Sequence, residues 1–225
     1  MKNQYDSVGK GYIAGVHKFF RTRKDSSLDY LVNEVRARGL KKKILDLGCG
    51  GGHVILALKK IGTKNVYGID QSKLMLDEAI NAGVDKRRLV HGSIDKMKFR
   101  SKEFDIVISR FAIQHLKSLR QVHKEVFRIL KPGGSFIFAV PHPFSDLFYL
   151  KSREYGKEEA FTFELFKGVK ITNYSHPFSK YISKEFLSLF DLKIIAEGQD
   201  RLLIHDGFKS PDFLCIHAIK RHPRK

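Results

Sequence analysis

The stretch Ile44-Leu45-Asp46-Leu47-Gly48-Cys49-Gly50-Gly51-Gly52 constrains the fold more than any other. Its apolar residues read as a buried strand, and its glycines can take positive φ and let a ligand approach bare backbone with no Cβ in the way. A strand that ends this way predicts a nucleotide-like ligand held at the mouth of an α/β sheet. A second apolar run closes on Ile69-Asp70. That carboxylate lies about twenty residues beyond the glycines, the spacing at which an acid can accept hydrogen bonds from a ribose diol.

The rest of the chain alternates strand and helix patterns. Residues 26–38 place Leu28, Leu31, Val32 and Val35 at helical spacing, with Ser26 or Ser27 as cap. After a strand over 43–48, Val54, Ile55, Leu58 and Ile61 form the inward face of a helix that Gly62 stops. A strand over 65–69, a helix capped by Ser72 with Leu74, Met75 and Ile80 inward, and a short strand over 89–91 follow. The fourth unit is a strand over 104–109 and a helix over 116–130, from which Pro132-Gly133-Gly134 turns into a strand over 135–140. This rhythm predicts a doubly wound α/β sheet, mostly parallel. A short helix over 184–190 and strands over 192–196 and 213–219 add a terminal antiparallel hairpin, making a mixed sheet of seven strands. We expect one domain over 1–225, with 1–38 as an N-terminal helical cap and the Pro-, Gly- and aromatic-rich segment 141–182 as a substrate-covering insertion.

Several chemistries are excluded by residues that are missing. Gly52-His53-Val54 stands where a P-loop needs Gly-Lys-Ser or Gly-Lys-Thr. Cys49 and Cys215, the two cysteines, read as packing residues, and no His-Glu-x-x-His or Cys/His cluster calls for a metal. Ser109 lacks a nucleophile elbow. With no secretory pattern at the start and no run of spanning length, the expected location is cytoplasmic and away from membranes. Charge is the unusual item: 42 Lys plus Arg against 24 Asp plus Glu give +18, which attracts polyanions without specifying a fold. The bases concentrate only briefly, at residues 41–43, 86–88 and 220–225.

In order and spacing, the glycine run, Asp70, Gly92-Ser93-Ile94-Asp95, Phe104-Asp105-Ile106-Val107, Ile113-Gln114-His115-Leu116 and Arg128-Ile129-Leu130-Lys131-Pro132-Gly133-Gly134 resemble the class I S-adenosylmethionine-dependent methyltransferases, and among them the broad group acting on small molecules. The resemblance implies a Rossmann-like fold with S-adenosyl-L-methionine as methyl donor. By the same analogy Asp46, Gly48, Gly50 and Gly52 would wrap the methionine portion and Asp70 the ribose hydroxyls. Ile94 and Asp95 would lie beside adenine, Asp95 accepting from its exocyclic amine, and Tyr5 and Tyr12 would cover the donor. Ser109 and Arg110, just past the fourth strand, can reach donor or acceptor.

His115, near the strand-four exit, and His142, after strand five, are the candidate proton acceptors, because imidazole titrates near neutrality. The expected acceptor is a small molecule, anionic or aromatic, attacked through O or N by a monomer or homodimer. An RNA or protein methyltransferase, and a cofactor-sensing protein without transfer, are the alternatives. The basic excess favours nucleic acid; against it stand the absence of an RNA-binding module and the run Ser109-Arg110-Phe111-Ala112 where amino-methylating nucleic-acid enzymes carry an Asn-Pro-Pro-Tyr type signature.

Overall fold

Five parallel strands frame the molecule: β1 (Ile44–Leu47), β2 (Val66–Asp70), β3 (Leu89–His91), β4 (Phe104–Arg110) and β5 (Leu130–Pro141), side by side as β3-β2-β1-β4-β5. The coordinates are a computed structural model that describes residues 4–22, 25–198, 203–205 and 208–222. A ribbon of β6 (Ala160–Phe166) and β7 (Val169–Tyr174) stands apart from this sheet, as does the small pair β9 (Leu203–His205) and β10 (Phe208–Ser210). Two strands complete the seven: β11 (Phe213–Lys220) pairs antiparallel with β5, and β8 (Phe190–Gly198) antiparallel with β11. This is the mixed, mostly parallel sheet that the sequence predicts.

Alternation along the strands splits the core between two layers of helices. On one face Ile44, Ile106, Ile108 and Ile137 pack under α2 (Ser26–Arg38), α3 (His53–Lys60) and α4 (Lys73–Asn81), which contribute Leu31, Val35, Ile55, Leu58 and Ala79. On the other, Leu45, Leu47, Val107, Phe136 and Phe138 meet Val122 and Val126 of α5 (Arg120–Ile129). Phe186 of α8 (Lys184–Leu189) fills the same layer, stacking near Phe136 and Phe190. The remaining helices are α1 (Gln4–Thr22), α6 (Pro143–Asp146) and α7 (Phe178–Tyr181). Because α2 buries Leu31 and Val35 in the sheet layer, the sequence's N-terminal cap divides into a core helix, α2, and an outlying one, α1.

Local chemistry explains where the elements depart from expectation. The cap of α2 is Asp25, whose Oδ1 accepts from the Leu28 N–H at 2.9 Å and the Ser27 hydroxyl at 2.7 Å, and not Ser26 or Ser27. The Ser72 hydroxyl does cap α4, accepting from Met75 N–H, and the buried face is Met75, Leu76 and Ala79, with Leu74 and Ile80 partly exposed. The helix expected over 116–130 begins at Arg120: a 3-10 turn over Ile113–His115 first drives Ile113 into the core, and Lys117 and Ser118 remain exposed. Ladder pairing starts at Leu130, against Phe104, and shifts register through the Pro-Gly-Gly turn. Among the described residues no helix is long and apolar enough to cross a membrane.

The helix α1 lies against the β6-β7 ribbon and α4. The Gln4 side-chain amide pairs with Thr172 as another strand would, Thr172 N–H donating to Oε1 at 2.8 Å and Nε2 donating to the Thr172 carbonyl at 3.2 Å. At Gly15 a Cβ would stand 2.3 Å from the Phe166 ring, so this helix face and the ribbon touch only because the residue is glycine.

Candidate functional site

Strand order reverses between β1 and β4, and open α/β sheets hold ligands outside the carboxyl ends of their strands at such a point. A cavity of about 250 Å³ opens there. Its floor is the turn from β1 into α3. Gly48 N–H and Cys49 N–H both donate to the Ile69 carbonyl, at 2.8 and 3.1 Å, which ties the turn to β2. Gly48 has φ +66°, and a Cβ on it would fall 2.3 Å from Ala112 Cβ. Gly50 has φ +48° but faces open space, and its N–H donates to Asp70 Oδ2 at 2.9 Å.

Two carboxylates face the cavity from neighbouring strands. Asp46 is 1% exposed, and among the described residues its Oδ2 has no hydrogen-bond partner. Burial pushes its pKa well up, and the nearby Asp70 charge adds to this, with Arg110 opposing. Asp70 is 8% exposed; its Oδ1 accepts from Ser72 N–H at 2.8 Å, and burial raises its pKa while the N–H groups of Ser72 and Gly50 pull it back. Each carboxylate oxygen has two lone pairs, so Asp70 keeps acceptor capacity beyond these backbone bonds.

The roof comes from α1 and the ribbon. Tyr5 and Tyr12 meet edge to face at 4.8 Å between centroids, and both line the cavity, as do Leu165 and Phe166 of β6. Tyr5 Oη lies 2.6 Å from His115 Nε2, and His115 Nδ1 lies 3.3 Å from the Thr172 carbonyl. The tautomer that donates Nδ1–H to this carbonyl leaves Nε2 to accept the Tyr5 O–H. Burial pushes the His115 pKa down to about 4, so the ring is neutral at pH 7.

Of the residues that the sequence singles out, Tyr5, Tyr12, Asp46, Gly48, Gly50, Asp70, Ile94, Arg110 and His115 line this one cavity. Arg110 does so while its guanidinium is engaged by the Asp25 carboxylate and by Ser27 Oγ at 3.0 Å. It thereby locks the start of α2 to the end of β4. Four others lie off the wall. Gly52 heads α3, where a Cβ would meet Val84 Cγ2 at 2.7 Å; Ser109 is buried, its hydroxyl donating to the Leu47 carbonyl at 3.3 Å. Asp95 Oδ1 takes the Ser93 hydroxyl at 2.5 Å, and Ser93 itself lines the cavity. His142 caps α6, with Nδ1 accepting from Phe144 N–H and Nε2 2.9 Å from Glu197 Oε1.

Phe111, Leu165, Phe166, Gln71 and Glu78 also line the cavity and carried no sequence signal of their own beyond Phe111's place one residue past β4, and Leu116, which joins them, was marked only as the end of the Ile113-Gln114-His115-Leu116 segment. Phe111 holds a positive φ of 50°, uncommon for a ring-bearing residue and typical of functional loops. Its N–H donates to the Ala139 carbonyl at 2.9 Å, and the Arg110 guanidinium covers its ring at 4.7 Å.

Comparison with known proteins agrees with this geometry. Residues 45–138, from β1 to the middle of β5, match the methyltransferase domain family. The chain is 32% identical over 124 residues to the uncharacterized methyltransferase YcgJ of Bacillus subtilis, covering 53% of this chain and 47% of that protein. It is 30% identical over 143 residues to the demethylmenaquinone methyltransferase of Staphylococcus aureus, covering 61% and 55%. The match thus spans about half the length of these curated relatives. A crystal structure of a candidate S-adenosylmethionine dependent methyltransferase from Listeria monocytogenes superimposes with a TM-score of 0.70 at 25% identity, over 88% of this chain and 100% of that one. Over residues 45–138 the chain carries a methyltransferase domain, on the Rossmann-like fold of the class I S-adenosylmethionine-dependent methyltransferases.

Proposed function

We propose that the cavity binds S-adenosyl-L-methionine and that the chain transfers its methyl group to an O or N atom of a small molecule. The observation that carries this reading is the buried Oδ2 of Asp46, without a hydrogen-bond partner among the described residues, beside Asp70. Three carboxylates, Asp46, Asp70 and Glu78, line the cavity, and among the described residues its one Lys or Arg is Arg110, held by Asp25, in a protein of net charge +18. Such a wall suits a cation. S-adenosyl-L-methionine, when bound, supplies an electrophilic methyl on a sulfonium. Asp46 is the residue to hold its ammonium end, Asp70 its ribose hydroxyls and Ile94 its adenine face, with Tyr5 and Tyr12 over it; Gly52, Asp95 and Ser109 act through the turns and strands they brace.

The acceptor end is apolar and aromatic, walled by Phe111, Leu116, Leu165 and Phe166. Among the described residues that wall carries no Lys or Arg, which favours a neutral aromatic or apolar acceptor, enclosed by the ribbon, over an anionic one. The proton of an O–H or N–H acceptor goes to His115 Nε2, the neutral imidazole nitrogen nearest the roof, after Tyr5 gives up its bond. Much of the rate then comes from alignment, to which orientation contributes about 7–11 kcal/mol. His142, the other candidate proton acceptor, stands outside the cavity wall with Nε2 on Glu197.

Calorimetric titration of S-adenosyl-L-methionine should give saturable binding, and incubation with neutral aromatic alcohols and amines should yield S-adenosylhomocysteine with a methylated product. Donor binding without product from any acceptor class would favour the cofactor-sensing reading, and no donor binding would overturn the proposal. For His115→Gln, turnover should fall about 10²-fold with the donor Kd unchanged. In the wild type the low-pH limb should break near pH 4, where His115 gains its proton, and not near 6.5.

A further inference from the structure

Every connection that leads into a parallel strand arrives at the amino ends of the sheet, the edge opposite the cavity. These connections carry the bases. Lys41 and Lys42 precede β1, Lys60 and Lys64 precede β2, Lys86 precedes β3 and Lys102 precedes β4. All six are exposed, and none has an ion-pair partner among the described residues. The four strand starts are neighbours in the order β3-β2-β1-β4, so the row spans roughly 15 Å at about 4.8 Å per strand.

An inner row of cations is fixed beneath them. The Lys43 ammonium lies 4.8 Å from the Tyr67 ring centroid and 5.1 Å from that of Phe104. Arg88 covers Tyr67 from 4.6 Å and donates through Nη1 to Asn65 Oδ1 at 2.8 Å. The acids of this edge are already engaged: Asp85 by Arg87 at 2.8 Å, Glu103 by Lys43 at 2.8 Å and Asp105 by Lys131 at 2.9 Å. The edge therefore presents cations in excess, on a rigid frame, to whatever approaches it.

From this arrangement we infer that the amino edge of the sheet is a docking surface for the phosphodiester backbone of a nucleic acid, bound independently of sequence and apart from the methyl-donor cavity. A row of cations at strand spacing meets repeating phosphates and gains by releasing their counterions. A lipid surface fits less well, because the exposed large apolar residues Phe144, Tyr149, Tyr155, Leu187, Ile194 and Ile195 all belong to the insertion, α8 or β8, and none to this edge. The acidic cavity wall keeps the same polyanion away from the donor, so the surface tethers the protein and does not present the nucleic acid as acceptor. The inference stands whether or not the cavity methylates a small molecule.

The test is fluorescence anisotropy of a labelled single-stranded oligoribonucleotide against the full chain across a salt series. Wild type should bind with an affinity that falls linearly in logarithmic salt. Reversing four bases together (Lys41→Glu, Lys42→Glu, Lys64→Glu, Lys86→Glu) should weaken binding at least tenfold and reduce the salt slope by about 3, at roughly 0.7 per lost phosphate contact. A control with the same charge change on exposed lysines elsewhere (Lys117→Glu, Lys124→Glu, Lys157→Glu, Lys170→Glu) should lose less than about threefold. Circular dichroism and S-adenosyl-L-methionine binding should match wild type in both. An equal loss in the control, an unchanged affinity in the edge variant, or wild-type binding to phosphatidylserine vesicles but not to RNA would each overturn the inference.

Discussion

The two ends of the same five parallel strands are chemical opposites. At the carboxyl end, Asp46 and Asp70 sit buried with raised pKa values, and one of their oxygens has no partner among the described residues. At the amino end, Glu103 and Asp105 sit half-buried with lowered values. For these two, burial alone would raise the pKa. The Lys43 ammonium and Arg100 N–H on Glu103, and the Lys43 N–H and Lys131 ammonium on Asp105, outweigh it. At the carboxyl end desolvation wins, and at the amino end the countercharges are in place. The difference separates acids that suit the proposed cationic donor from acids that brace the fold better than the presence of acids does.

The contrast breaks first at Asp70. Asp70→Ala removes the acceptor of Gly50 and Ser72 N–H as well as the proposed ribose contact, and should weaken donor binding by about 100-fold, roughly 3 kcal/mol. Lys64→Ala at the opposite edge should leave the donor Kd within about twofold. If both variants bound donor like wild type, the cavity would lose its assignment.

Backbone geometry gives the next effect. Gly48→Ala combines φ +66° with a 2.3 Å approach to Ala112 Cβ, and urea unfolding should show a loss of about 2–4 kcal/mol. Gly50→Ala, at φ +48° in open space, should cost only about 1 kcal/mol in stability and appear instead as weaker donor binding. Equal destabilisation would mean that the loop moves as a unit and that the clash at Gly48 relaxes.

Asp46→Asn should separate stability from binding. A carboxylate with a raised folded pKa stabilises the fold fully only below its unfolded value near 4 and loses that contribution as pH rises, so at pH 7 the buried acid burdens the empty protein. Removing the charge should stabilise the donor-free protein by about 1–2 kcal/mol at pH 7 while weakening donor binding at least tenfold. The stability gain should vanish near pH 4. A destabilised, donor-competent Asn variant would remove Asp46 from the binding reading.

Much of this was legible in the sequence because period and punctuation act locally. Ile44 to Leu47, the glycines and Ser72 specify a strand, a turn and a cap within a few residues, and β11 follows from an apolar run that only His217 interrupts before Lys220. The β6-β7 ribbon was not legible: its Phe161, Phe163 and Phe166 alternate imperfectly, and what holds it is distant, the Gln4 amide on Thr172 and Gly15 under Phe166. The placement of His142 off the cavity wall was hidden for the same reason, since Glu197 is 55 positions away, whereas Asp95 stands off the wall beside a local partner, its Oδ1 taking the Ser93 hydroxyl. The concentration of bases over 220–225 is not all surface: Lys220 is buried, donating to the Phe127 and Leu130 carbonyls at 2.6 and 2.7 Å, and residues 223–225 lie outside the described ones. Strand pairing across long separations, not composition, decided that lysine's surroundings.

The smallest expected effect sharpens the amino edge. Glu103 has a lowered folded pKa, so it contributes stability above its unfolded value near 4.5, and that contribution is lost as pH falls through the folded value. Its bridge to Lys43 is partly solvated on both sides, and such pairs contribute about 0.2–1 kcal/mol. Glu103→Gln should therefore cost less than about 1 kcal/mol at pH 7, and the cost should shrink below pH 4 and in high salt. It should also free the Lys43 ammonium at the centre of the basic row, so oligoribonucleotide affinity should rise slightly as stability falls. That opposite movement is the diagnostic: a variant that lost both would show Glu103 to be needed for the shape of the edge, whereas one that gained affinity would show that the acid tunes an otherwise complete cationic surface.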